Sequence, residues 1–121
     1  MRAAVGSDLG TTEWIEVTGE LLQRFAEATG DPDATYFAIS LSNMFLPRIV
    51  EVRGFAMGIN YGTDAVQLGS PLEPGDRVRG AAKLIDVADV KGGIQTRMLI
   101  AVEVDGGKPG CVIESLSRWL V

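Results

Sequence analysis

No histidine occurs among the 121 residues. That removes the Ser-His-Asp and Cys-His nucleophile pairs, and the usual imidazole-bearing zinc sites, at one stroke. The single cysteine, Cys111, can form neither an internal disulfide nor a thiolate cluster. It reads as a small apolar residue buried on a strand, and no metal and no cofactor are expected. Carboxylates are what remain for proton transfer. Asp31 and Asp33 flank Pro32 directly after Gly30, and two close carboxylates can split their pKa values and act as acid and base. The plainer reading of Asp31 is a solvated carboxylate in a turn. Asn60 and Tyr61 stand together in Ile59-Asn60-Tyr61-Gly62, where Asn60 can bond a carbonyl or shape a turn before the glycine. Ser40, Ser42 and Asn43 fall in an apolar run, where short polar side chains bond helix carbonyls, including the one that Pro47 leaves without a donor.

Those residues are positioned by elements that the spacing makes legible. Trp14 to Val17 reads as a short strand leading to Thr18, an N-cap for a helix over about residues 19–29. Glu20 suits its first turn, Leu21, Leu22, Phe25 and Ala26 share one face, and Gly30 supplies the stop. Asp31-Pro32-Asp33 is a turn. Tyr36 to Val52 is apolar almost all round, which predicts a central core helix with a bend at Pro47. Strand texture follows. Phe55 to Tyr61 and Thr63 to Leu68 read as short strands parted by Gly62, and 70–76 as a turn-rich loop. Val78 to Leu84 alternate with Arg77, Arg79 and Lys83; Lys91-Gly92-Gly93 and Asp105-Gly106-Gly107 are hairpin turns; Cys111 to Val121 is the last strand. Thr96, Met98, Ile100, Val102 and Val104 share one face. The fold class expected is α+β, a curved antiparallel sheet wrapped around one apolar helix in a single domain over residues 1–121. One helix cannot cover such a sheet, and an edge is left unpaired; a homodimer solves both problems.

The bulk composition narrows the partners. A net charge of −5 and a pI near 4.6 argue against nucleic acid and against a membrane surface. The start of the chain, from Met1 to Gly6, lacks the apolar run of a secretory signal, and no stretch approaches the ~20 apolar residues of a membrane span. A cytoplasmic location is expected.

The residues Glu16–Asp31, Ile39–Asn43, Arg53–Gly62 continuing to Arg79, and Lys108–Arg118, taken in this order, resemble the MaoC-like dehydratases, the (R)-specific enoyl-CoA hydratase group, and cover most of the chain. The resemblance implies the hot-dog fold, an acyl-CoA or acyl-carrier thioester as partner, and reversible hydration of a trans-2-enoyl thioester to the (R)-3-hydroxyacyl product. In that family Thr-Gly-Asp leads into a short His-bearing run, a loop, and a His-Gly pair that opens the hot-dog helix. The Asp and the first His hold a water that adds to C3 while a proton reaches C2. A backbone N–H near the helix start polarises the thioester carbonyl.

By resemblance Asp31 is the catalytic Asp, and Tyr36, Phe37, Asn60 and Tyr61 fall where substrate binds. The His-bearing run, the loop and the His-Gly pair are missing between Asp31 and Tyr36. Two readings follow. The chain has lost its catalytic segment and serves as an acyl-CoA-binding or partner subunit of a hot-dog hetero-oligomer, or the written sequence joins the flanks of a mobile active-site loop. Arg77, Arg79 and Lys83 on one strand face can meet the phosphates of CoA or of a carrier's phosphopantetheine, or simply face solvent. Glu51, near the end of the central helix, is poorly placed for a hot-dog thioesterase.

Overall fold

Thr18 holds the extended backbone of an N-cap (φ −100°, ψ 155°), and its Oγ1 accepts from the Leu21 N–H at 3.2 Å. The helix it starts, α1, spans Gly19–Thr29 and ends at Gly30, whose left-handed φ of 73° lets its N–H reach the Ala26 carbonyl. These are the caps that the sequence predicts, and in this computed structural model, which describes residues 2–121, both are in place. α1 buries no residue completely. It docks through Phe25, whose ring meets that of Phe37 edge-on with centroids 5.5 Å apart.

The second helix, α2, spans Phe37–Ile49 and buries Phe37, Leu41, Ser42 and Phe45. It stops short of the predicted Val52 because Val50 is already extended (φ −126°, ψ 131°), its N–H returning to the Leu46 carbonyl. Ser40 and Ser42 donate to the carbonyls of Phe37 and Ile39, as expected. Asn43 departs from that pattern: its Oδ1 accepts from Asn60 Nδ2 at 3.2 Å, a link between the helix and the sheet.

A short 3-10 turn at Arg2–Ala4 precedes the strands, which are β1 (Asp8–Thr11), β2 (Ile15–Glu16), β3 (Met57–Gln67), β4 (Arg77–Val90), β5 (Gly93–Val104) and β6 (Cys111–Leu120). They form one antiparallel sheet in the order β1-β4-β5-β6-β3, with β2 also on β4. β3 is one strand where the sequence suggests two. Its pairing with β6 slips in register between Asn60 and Gly62 and again between Asp64 and Val66, so the glycine is absorbed as an irregularity rather than a break.

The inner face alternates as the sequence indicates, with Val78, Ala82 and Leu84 of β4, Thr96 to Val104 at every second position of β5, and Cys111 and Ile113 of β6 all buried. Phe45, fully buried, lies over Gly80 of β4, where a Cβ would come within 2.6 Å of its side chain. A close approach of helix to strand is what requires glycine there.

Outward-facing charges are paired across strands. Arg79 Nε meets Glu103 at 2.7 Å and its guanidinium lies 4.6 Å from the Trp14 ring centroid, while Arg97 bridges Asp64 and Glu114. Burial pushes the Cys111 thiol above its ordinary range, as befits a residue that packs rather than reacts.

Candidate active site

The link from α1 to α2 is short and tightly built. Gly30 turns the chain, Ala34 accepts a left-handed φ of 48°, and the Phe37 N–H bonds the Ala34 carbonyl to begin α2. Asp31 braces this turn from inside: its Oδ1 accepts from the Asp33 N–H and its Oδ2 from the Thr35 N–H, each at 3.0 Å. The Thr35 backbone bond, helped by its hydroxyl and by the Asp33 N–H, holds the Asp31 carboxyl below its ordinary value of 3.8. The sign follows directly. A depressed carboxylate contributes stability that is present above its unfolded pKa and is lost as pH falls through the lower folded value. Ala34→Gly relieves the left-handed strain and is expected to raise stability by up to about 1 kcal/mol in urea unfolding, part of the gain being offset by the freer unfolded chain.

The structure turns the backbone of Asp33, not its carboxylate, toward Asp31. Tyr36, at the N-cap position of α2, makes no side-chain capping bond and is 60% exposed, so α2 opens without a side chain closing it. Phe37 faces the core against Phe25. Asn60 and Tyr61 stand away on β3, the first bonded to Asn43, the second under the Arg118 guanidinium at 3.8 Å from the ring centroid. The chain thus brings Asp31 and Tyr36 to the start of α2, while Asn60 reaches α2 only through Asn43 and Tyr61 stacks on Arg118, both on the edge strand.

A cavity of ≈ 360 Å³ lies at the start of α2, walled by Thr35, Ala38 and the loop Leu68–Pro71. A second, of ≈ 570 Å³, lies between α1 and the same turn; the two share Asp33, Ala34 and Leu72. Ser70 anchors the loop wall through its N–H to the Pro109 carbonyl, and Gly69 approaches the backbone of Pro109 and Gly110 too closely for any side chain. Thr35 and this loop wall are the parts that sequence reasoning missed as site elements. The turn-rich composition of 70–76 marked a loop, but not that it folds over a helix start. Arg77 and Arg79 pair with Asp105 and Glu103, while Lys83 is exposed.

Among the described residues no group of His, Cys, Asp and Glu side chains is arranged to hold a metal ion, and no helix is long and apolar enough to cross a membrane.

What the arrangement can do chemically is accept a polarisable oxygen at the uncapped, positive end of α2, beside a carboxylate that stays ionised at neutral pH. No family model matches the chain. Over 141 aligned positions it is 34% identical to the 3-hydroxyacyl-thioester dehydratase Z of Mycobacterium tuberculosis, taking in 99% of this chain and 93% of that protein. The alignment is 20 positions longer than this chain's 121 residues, so at least that many positions of the relative face a gap here. Its fold is that of the (R)-hydratase from A. caviae involved in PHA biosynthesis (TM-score 0.74, 14% identity, 95% of this chain and 96% of that one). It is likewise that of the MaoC-like dehydratase from Rhodospirillum rubrum (TM-score 0.67, 14% identity, 98% and 94%). A helix laid against a curved antiparallel sheet is thus the hot-dog fold, and the chain belongs to the MaoC-like dehydratase family.

Proposed function

We propose that the chain acts on acyl thioesters as a MaoC-like hydratase or dehydratase, interconverting trans-2-enoyl and (R)-3-hydroxyacyl thioesters of CoA or of a carrier protein. The observation that carries this reading is the uncapped start of α2, opening on a cavity walled by Asp33 and Thr35, whose amides hold the Asp31 carboxylate, in a chain aligned end to end with a 3-hydroxyacyl-thioester dehydratase. In hydration the thioester carbonyl sits at the helix start, where the positive end of the α2 dipole stabilises the negative charge that develops on its oxygen. A water oxygen bonds to C3, the C2=C3 π electrons take up a proton at C2, and the water's surplus proton must leave to a base. Asp31 is the carboxylate at hand; the chain supplies no imidazole.

The test follows the enoyl-thioester absorbance on adding purified protein to short and medium trans-2-enoyl-CoAs, with acyl-CoA binding titrated in parallel. Binding together with slow hydration that Asp31→Ala abolishes supports the reading. Binding without any hydration leaves a non-catalytic acyl-CoA-binding or partner subunit, and neither sinks both.

The working unit is a homodimer joined along β3. This edge strand is exposed on both faces, and Met57, Ile59, Tyr61 and Val66 on it, with Leu68 just beyond, are large apolar side chains left in solvent. It carries neither Lys nor Pro, and its one charge, Asp64, is held by Arg97. Antiparallel pairing with a second β3 satisfies the edge and covers the open side of α2. Ile59→Lys is expected to raise the dimer dissociation constant by about tenfold or more, read by sedimentation across a dilution series. A sedimentation profile unchanged by that substitution rules out β3 as the seam. The lone, buried Cys111 suits the reducing cytoplasm.

A further inference from the structure

A cavity of ≈ 700 Å³ lies at the other end of α2. Val50, the first residue beyond the helix, is on its wall, and α2 is 13 residues long, so about 20 Å of helix separates it from the Asp31 turn. Leu9, Val52 and Phe55 form its sides, and Leu84, Val87 and Met98 of the core strands its floor. A space of this size and lining suits an apolar ligand.

At the rim stand Glu51 and Arg53, bonded to each other at 3.2 Å with side chains 73% and 83% exposed. A pair so open to water is weak, and another carboxylate can take the place of Glu51 on the guanidinium at little cost. We infer that this cavity is a second binding site, for a medium-chain aliphatic carboxylate taken tail first with its head group on Arg53. The site shares no lining residue with the cavity at the start of α2 and does not rest on the activity proposed above.

Calorimetric titration of octanoate, decanoate and decanol into the full chain tests it. One molecule of decanoate is expected to bind per chain, tighter than octanoate by about fourfold per methylene. Arg53→Gln, a change at an exposed side chain, is expected to weaken decanoate about tenfold and leave decanol unchanged. Ala4→Trp, which fills the cavity from its rim, is expected to abolish binding of both in a chain whose circular dichroism is unaltered. No decanoate binding to the wild-type chain overturns the inference, as does decanoate affinity that survives Ala4→Trp or is indifferent to Arg53→Gln. A further arm uses decanoyl-CoA: if it excludes decanoate competitively, the cavity houses the tail of a thioester, and the separate site falls.

Discussion

Hydration of a trans-2-enoyl-CoA by this chain is expected to run ~10²–10⁴-fold slower than by a histidine-bearing relative, the usual worth of a well-placed general acid–base. The deficit is expected in proton transfer rather than in binding, because the uncapped start of α2 and its cavity are in place. Added imidazole tells the two apart. If the missing base is the fault, the rate rises in proportion to imidazole concentration while acyl-CoA affinity stays fixed. A rate indifferent to imidazole in a chain that binds acyl-CoA places the fault in geometry instead. The pH dependence is a second handle. Asp31 is held below 3.8, chiefly by the Thr35 N–H, so it remains ionised through the acid side of neutrality. The residual rate is therefore expected to be level from about pH 5 to 8, with no inflection near the imidazole pKa of about 6.5, and to fall only as Asp31 takes up a proton. An inflection near neutrality identifies a different catalytic group.

Phe45→Ala is expected to cost about 3–5 kcal/mol in equilibrium urea unfolding, a large share of the roughly 5–15 kcal/mol that a domain possesses. Phe45 has no exposed surface, and Gly80 beneath it leaves nothing that can move in to fill the void. The converse change, Gly80→Ala, pushes a methyl to within 2.6 Å of the Phe45 side chain, at a cost of about 1–3 kcal/mol. Because the added methyl meets Cγ and Cδ2 of Phe45 as well as its Cβ, Gly80→Ala combined with Phe45→Ala is expected to be less damaging than the two single changes added together. Strict additivity means that the helix and strand do not lock at this point.

The helices and the inner face of the sheet were legible because each rests on a local rule. Thr18 and Gly30 cap α1 by chemistry that reaches only three or four residues, and the alternation over Met98, Ile100, Val102 and Val104 is a property of any half-buried strand. The family was legible from four ordered stretches of sequence. What escaped was set by contacts far apart in the chain. Gly62 looks like a strand break until β6 is present to carry the pairing past it, and the loop at 68–72 becomes a site wall only when Pro109 and Gly110 pin it. Asp31 was identified from resemblance, but that both its oxygens are engaged by the Asp33 and Thr35 amides follows from backbone angles, Ala34 above all, that no residue type announces.

The turn between α1 and α2 also bears on how such chains change over evolution. Its two ends are fixed independently, by the glycine stop of one helix and the docking of Phe37 against Phe25, and of the residues between them Ala34 alone packs against the hydrophobic core. Lengthening a loop whose ends are already held costs only about 0.6 kcal/mol for each doubling. Segments can therefore be exchanged at this splice point, long or short, reactive or inert, while the surrounding architecture stays as it is. A segment can be inserted or removed here in a single genetic step.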